Sequence, residues 1–281
     1  MTPIDGSTPM LINVHQRTPL SRSLRDTWRY RHFAQQLAQS RIMASRTDNK
    51  LGLLWEFLNP LMTALVYYLA FGVILGTKKG IENFEVFLIA GVFTWALMSG
   101  TLVECSDALS KNARMITSMR FPTLVLPLSV IMRQLLTWVP MVAVLAASAL
   151  VTGEPLRVSW TLLLPVTLMT VMFGAGVGLL LAHPAARTRD VAAFLPFTLR
   201  AWMFVSGVFY DPAARFADVD GPVGWFFHYN PGSVYMAITR SAFLPSVSVT
   251  TGQWIAALAF ALSLFLIGSL VFWRKEGPTN D

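Results

Sequence analysis

Apolar positions along this chain fall into long unbroken blocks, with neither the alternation of a half-buried strand nor the narrow stripe of a soluble helix. Residues 86–103, 158–182 and 253–273 contain no charge at all, and each is about long enough, at 1.5 Å per residue, to cross a ~30 Å hydrocarbon core. Three further blocks, 53–76, 121–151 and 191–210, each enclose one charge, respectively Glu56, Arg133 and Arg200. The pattern predicts an all-α integral membrane protein with six transmembrane helices, occupying residues 51–273 between a tail at 1–50 and a short tail at 274–281.

Polar and apolar positions alternate differently before the first block. From Ser21 the stretch "SRSLRDTWRYRHFAQQLAQSRIM" repeats at the helical period. Leu20, Leu24, Trp28, Ala34, Ala38 and Ile42 share one side, and Arg22, Arg25 and Arg29 the other. That predicts a helix lying in the interface, its basic side turned to anionic membrane lipids. Asn59-Pro60 predicts a kink or local unwinding within the first span. Gly174, Gly176 and Gly178 predict close helix contact in the fourth. After the fifth block comes an uncharged run broken by Pro222, Gly224 and Asn230-Pro231-Gly232. It reads as a re-entrant hairpin of short helices at about 221–239 on the extracytoplasmic side.

Composition agrees with the blocks. Hydrophobic residues make up 54% of 281 and charged residues 13%, far below the roughly 25% of a soluble domain. Lysine and arginine number 15 in the segments expected inside and 5 in those expected outside, which predicts both termini in the cytoplasm. The net charge of +7 is therefore a topology signal spread along the chain, and no nucleic-acid partner is implied. No cleavable leader is visible in the polar, basic first fifty residues.

Catalytic chemistry is not legible. A phosphate-binding Gly-x-x-x-x-Gly-Lys-[Ser/Thr] is missing, the four histidines lack metal-ligand spacing, and the single cysteine, Cys105, has no histidine partner. No metal site and no resident cofactor are expected, and any energy for movement must come from another subunit. Arg200 is the one charge deep in a late span. On the helical period it shares a face with Phe197 and Phe204. Three fates stay open: facing a polar path, pairing with Glu56 or nearby carbonyls, or snorkelling to an interface.

The order of "LGLLWEFLNPL", "NARMITSMRFPTLVLPL", the broken "YNPG" hairpin and the basic end resembles the permease subunit of ABC-2 type exporters of lipid-linked polysaccharide, the O-antigen and teichoic-acid group. The alanine- and arginine-rich composition suggests a high-GC bacterium, and within that group the chain most resembles an actinobacterial galactan exporter. The resemblance implies a multi-pass permease of the bacterial cytoplasmic membrane, a homodimer bound to two copies of a separate ABC ATPase that holds the ATP and magnesium. It also implies a coupling helix at about 106–121, with Asp107, Lys111, Asn112, Arg114 and Arg120 as contacts. A channel is implied where the first and fifth spans meet, lined by Phe57, Tyr68, Phe71, Phe197, Arg200 and Phe204, and an exit gate formed by Trp225, Phe226, Tyr229, Pro231 and Tyr235. The alternatives are an ABC-2 exporter of a drug or small lipid, and a membrane-embedded polyprenyl-lipid transferase. The transferase would need acidic metal-binding residues where only isolated acids stand.

Overall fold

A computed structural model describes residues 20–44, 54–76, 81–119, 121–216 and 221–275. Among these residues the regular structure is entirely helical. Helices α1 (Leu20–Arg29) and α2 (Arg31–Ala44) precede α3 (Leu54–Tyr67), which continues as a π-helix over Tyr68–Ile74. Then come α4 (Phe84–Ser106), α5 (Ala113–Ser118), α6 (Val125–Val151), α7 (Leu163–Arg187) and α8 (Arg189–Val205). After α9 (Pro212–Arg215), α10 (Pro222–Tyr229) and α11 (Pro231–Phe243) the chain ends in α12 (Thr251–Lys275).

Among the described residues, five stretches are long and apolar enough to cross a membrane: Phe57–Ile74, Phe84–Ser106, Val125–Val151, Val158–Arg187 and Thr251–Lys275. The chain is thus an integral membrane protein. The expected fifth span differs. Helix α8 has 17 residues and ends where Gly207 takes φ +76°, a left-handed turn that glycine adopts without steric cost. Residues 206–210, expected inside the span, are instead a run of turn and bend beyond the helix.

Helix α4 is apolar around its whole circumference and sits at the centre of the bundle, enclosed from Phe84 to Ser106. Helix α7 lies against it on one side and against α12 on the other. The three glycines make this possible. A Cβ on Gly174 would stand 2.7 Å from the Met98 carbonyl oxygen, and one on Gly178 would stand 2.6 Å from that of Leu102. On the opposite face of α7, Gly176 meets the backbone of Leu264, and Gly268 of α12 meets the Gly176 carbonyl. Trp138 of α6 donates from Nε1 to Thr167 Oγ1 of α7 at 3.0 Å.

The N-terminal amphipathic helix is parted at Tyr30. In α2, Ala34, Ala38 and Ile42 are buried as their pattern requires, against α6. Trp28, which shares their side on a continuous helix, is instead 67% exposed beside the exposed Arg25 and Arg29, with the Arg31 guanidinium 5.0 Å from its ring centroid. The Arg22 side chain lies outside the described part. Nor does α3 unwind at Pro60, where the helix runs through. The departure comes at Tyr68, with Leu75 N–H donating to Ala70 O at 3.0 Å, five residues back.

Candidate functional site

Two regions gather the residues singled out from the sequence, one at each end of the bundle. At the α2 end, α4 gives way to a 3₁₀ turn (Ser110–Asn112) and then α5, two short pieces across the segment expected to be a coupling helix. Lys111 and Arg114 point outward, and Lys111 Nζ lies 2.8 Å from Asp107 Oδ2 one turn earlier. Asn112 does not join them. It is buried, donates from Nδ2 to Ala108 O at 2.6 Å, and accepts from Arg41 Nη2 at 2.8 Å. Arg120 lies outside the described residues.

Arg133 also finds a partner here, one the sequence did not disclose. Its Nη1 donates to Glu104 Oε1 at 2.8 Å, joining α6 to α4. Arg41, Glu104, Asp107, Lys111, Asn112 and Arg133 together line a cleft of about 200 Å³. Burial holds the Arg41 guanidinium below its usual pKa, with Glu104 working against that shift and Arg133 reinforcing it. The cleft ties α2, α4, the 3₁₀ turn and α6 through charge-assisted bonds.

At the far end, α8 has two faces. Leu199 and Ser206 are buried, and Trp202 packs edge-on against Trp95 of α4, centroids 5.5 Å apart. The other face carries Phe197 (66% exposed), Arg200 and Phe204 (50% exposed). Among the described residues Arg200 has neither a hydrogen-bond nor an ion-pair partner. The Glu56 side chain, one partner left open by the sequence, lies outside the described part.

The first span reaches this face through one residue not singled out from the sequence, Phe209. Phe71 stacks on Phe209, which also contacts Tyr67 at 5.3 Å and Phe204 at 5.4 Å between centroids. Tyr68 is half-buried against Gly72, whereas Phe57 stands apart, exposed nearer the start of α3. The six path residues therefore divide. Phe71 and Phe204 meet around Phe209, Phe197 and Arg200 continue along α8, and Phe57 and Tyr68 lie off that line.

The expected hairpin is a helix pair hinged at Asn230. Pro222 and Pro231 occupy opening positions of α10 and α11, where the missing N–H costs nothing. Asn230 caps α11 by accepting from Ser233 N–H at 3.2 Å, and Ser206 Oγ donates to the same Asn230 oxygen at 3.0 Å. The "YNPG" motif is thus a buried polar joint fastening the hairpin to the end of α8. Trp225 and Phe226 are exposed, Trp225 stacks with Tyr229 at 5.6 Å, and Pro231 is half-buried. Tyr235 is set apart from them, fully enclosed, its hydroxyl donating to Ala257 O of α12 at 3.0 Å.

Arg240, one of the five cations expected outside, lies within α11. Only 2% exposed, it donates from Nε to Phe87 O at 3.1 Å and from Nη2 to Gly207 O and Val208 O at 3.1 and 2.8 Å. Its Cζ stands 3.5 Å from the Phe87 ring centroid.

Among the described residues no cluster of histidine, cysteine and acid is placed to hold a metal. The profile of the ABC-2 type transporter family matches residues 33–244. The chain is similar to an O-antigen export system permease protein, RfbA, of Myxococcus xanthus, 29% identical over 191 residues, covering 67% of this chain and 72% of that one. It is also similar to two proteins of the same name from Klebsiella pneumoniae. One is 25% identical over 227 residues, covering 80% of this chain and 85% of the relative. The other is 25% identical over 225 residues, covering 80% and 84%.

Proposed function

Because this chain belongs to the ABC-2 type transporter family, a transport subunit and not an enzyme, we propose that it is the channel-forming permease of an ATP-driven exporter of lipid-linked polysaccharide in a bacterial cytoplasmic membrane. Its relatives are O-antigen export permeases, and polysaccharide is the substrate class carried over from them. ATP is hydrolysed by a separate ABC ATPase, two copies of which serve a homodimer of this chain. Six crossings, with α8 and the 206–210 turn as the fifth and α10–α11 re-entering from outside, place both termini in the cytoplasm.

The observation that carries the reading is the outer face of α8. Phe197, Arg200 and Phe204 are exposed on that face. A lone guanidinium facing lipid tails costs several kcal/mol, so this face belongs against a second copy and the substrate between them. Aromatic rings stack on the C–H faces of sugars without a fixed hydrogen-bond register, which suits a moving glycan, and the charge suits its pyrophosphate. Nucleotide-driven closure of the ATPases acts on the Asp107–Arg120 segment, and the α10 tip with Trp225 and Phe226 gates the exit.

The test is ATP hydrolysis by the chain co-purified with its partner ATPase in lipid nanodiscs, with and without a polyprenyl-pyrophosphate-linked oligosaccharide. The reading expects stimulation by the oligosaccharide, lost in Arg200→Ala while the complex stays intact. If no ATPase associates, the reading is wrong. If Arg200→Ala breaks the complex apart, the charge is structural.

A further inference from the structure

The geometry points to Arg240 as a positioning residue of the transport path: it clamps the far end of α8, and with it the Phe197–Arg200–Phe204 face, onto the central helix α4. This rests on the reading of that face as the path wall and adds the residue that holds the wall in place.

The carbonyls of Gly207 and Val208 lie just beyond the last turn of α8, at the negative end of its dipole, where a cation is favoured. Arg240 reaches both from α11 while its Nε takes the Phe87 carbonyl of α4. One side chain therefore joins three elements, across sequence separations of 153, 33 and 32 residues. Its seat is shaped for a planar fork. The guanidinium lies over the Phe87 ring, and on α4 the absent side chain of Gly91 leaves the space that Nη2 fills, with Val208 O 3.0 Å from where a Cβ would stand. Lysine, a point charge without the fork or the flat face, could serve these acceptors only in part.

The clamp acts on the path through the adjoining residues. Ser206 is held by Asn230 and Ser233, Gly207 and Val208 by Arg240, and Phe209 by the rings of Phe71 and Phe204. Four consecutive residues thus fasten α8 to the hairpin, to α4 and to the first span. Releasing Arg240 frees the middle of that run and leaves the end of α8 held by the Ser206 bonds and the Trp202–Trp95 contact, without its charge-assisted tie to α4.

The experiment reads position directly, in the full chain reconstituted in proteoliposomes. Phe204→Cys is labelled with a membrane-impermeant thiol reagent, and Cys105, buried in α4, keeps the background silent. Leu258→Cys on α12 serves as the reference. Arg240→Gln is expected to raise the labelling rate at position 204 at least fivefold, Arg240→Lys by a smaller factor, and neither to move the rate at position 258. Gly91→Ala keeps the charge but crowds the guanidinium from its seat, and should act like Arg240→Gln. It carries the test if the arginine variants do not reach the membrane. A rate at position 204 within twofold of the parent in Arg240→Gln, or in Gly91→Ala where the arginine variant does not reach the membrane, overturns the assignment. Labelling needs neither nucleotide nor glycan, so that result would sink the clamp alone. Failure of the oligosaccharide to stimulate ATP hydrolysis in the unsubstituted complex would sink the exporter reading alone.

Discussion

The ring of Phe71 lies flat on the ring of Phe209, centroids 3.8 Å apart and planes 6° from parallel. This stack joins the π-helical end of the first span to the turn that closes α8, with Tyr67 adding a second ring contact to Phe209. Phe209 is 3% exposed, so Phe209→Ala would leave a cavity and lose the stack. The expected cost is about 3 kcal/mol, the low end for a buried aromatic truncated to alanine, with Phe209→Leu costing less than half of that. Thermal unfolding in a fixed detergent checks it. Leucine refills volume but not the ring, so equal effects from alanine and leucine would assign the cost to the lost stack and none of it to the cavity.

A second prediction concerns the contact between α7 and α12. Any side chain on Gly268 meets the carbonyl of Gly176, backbone against backbone with nothing flexible to yield. Gly268→Val should therefore abolish accumulation in the membrane, well beyond the ~1–3 kcal/mol of ordinary overpacking. Gly153, with open space around it but φ +91°, is the control. Alanine there carries backbone strain of about 1 kcal/mol and should leave the yield nearly unchanged. Comparable yields of the two variants would contradict the packing described.

Asn112 makes a third case. Its removal breaks the hydrogen bonds to both the Arg41 guanidinium and the Ala108 carbonyl, a loss of about 1–3 kcal/mol. Asn112→Ala should loosen α2 from the 3₁₀ turn, visible as faster amide hydrogen exchange across residues 31–44 with the rates in α7 unchanged. Uniform acceleration throughout the chain would mean global destabilisation instead.

The Arg133–Glu104 pair can be weighed by a double-mutant cycle with Arg133→Met and Glu104→Gln. Both side chains retain some access to water, so the expected coupling is modest, about 1 kcal/mol. Additive single effects would show two charges that happen to lie close together.

Much of this architecture is legible in the sequence because the bilayer demands it. An uncharged run such as 253–273 has few other fates, and α12 occupies it with two added residues at each end. The prolines and Asn230 of the hairpin act through local backbone rules, so the helix pair is legible as well. The end of α8 is not, because Gly207 turns the chain for reasons that lie in α4 and α11. Arg240 was invisible for a related reason: its hydrogen-bond partners are backbone carbonyls on other elements, which no side-chain pattern marks. Asn112 turned inward because Arg41 stands 71 residues earlier, a pairing no local pattern encodes.

The expected gate residues should separate into two functional kinds. Tyr235 is wholly enclosed, and its hydroxyl is committed to Ala257 O. Tyr235→Phe should therefore cost about 1 kcal/mol of stability and leave oligosaccharide-stimulated ATP hydrolysis as it was. Trp225 lies on the surface of α10, stacked with Tyr229. Trp225→Ala removes little buried area, and its stability should stay within about 0.5 kcal/mol of the parent. If the tip of α10 meets the passing glycan, the same substitution must still lower stimulated hydrolysis or raise ion leak through the reconstituted complex. The paired measurement matters more than either variant alone, because a structural and a functional aromatic give opposite signatures. A Trp225→Ala variant normal in both stability and transport would remove the tip from the exit, leaving the hairpin as a brace for α8.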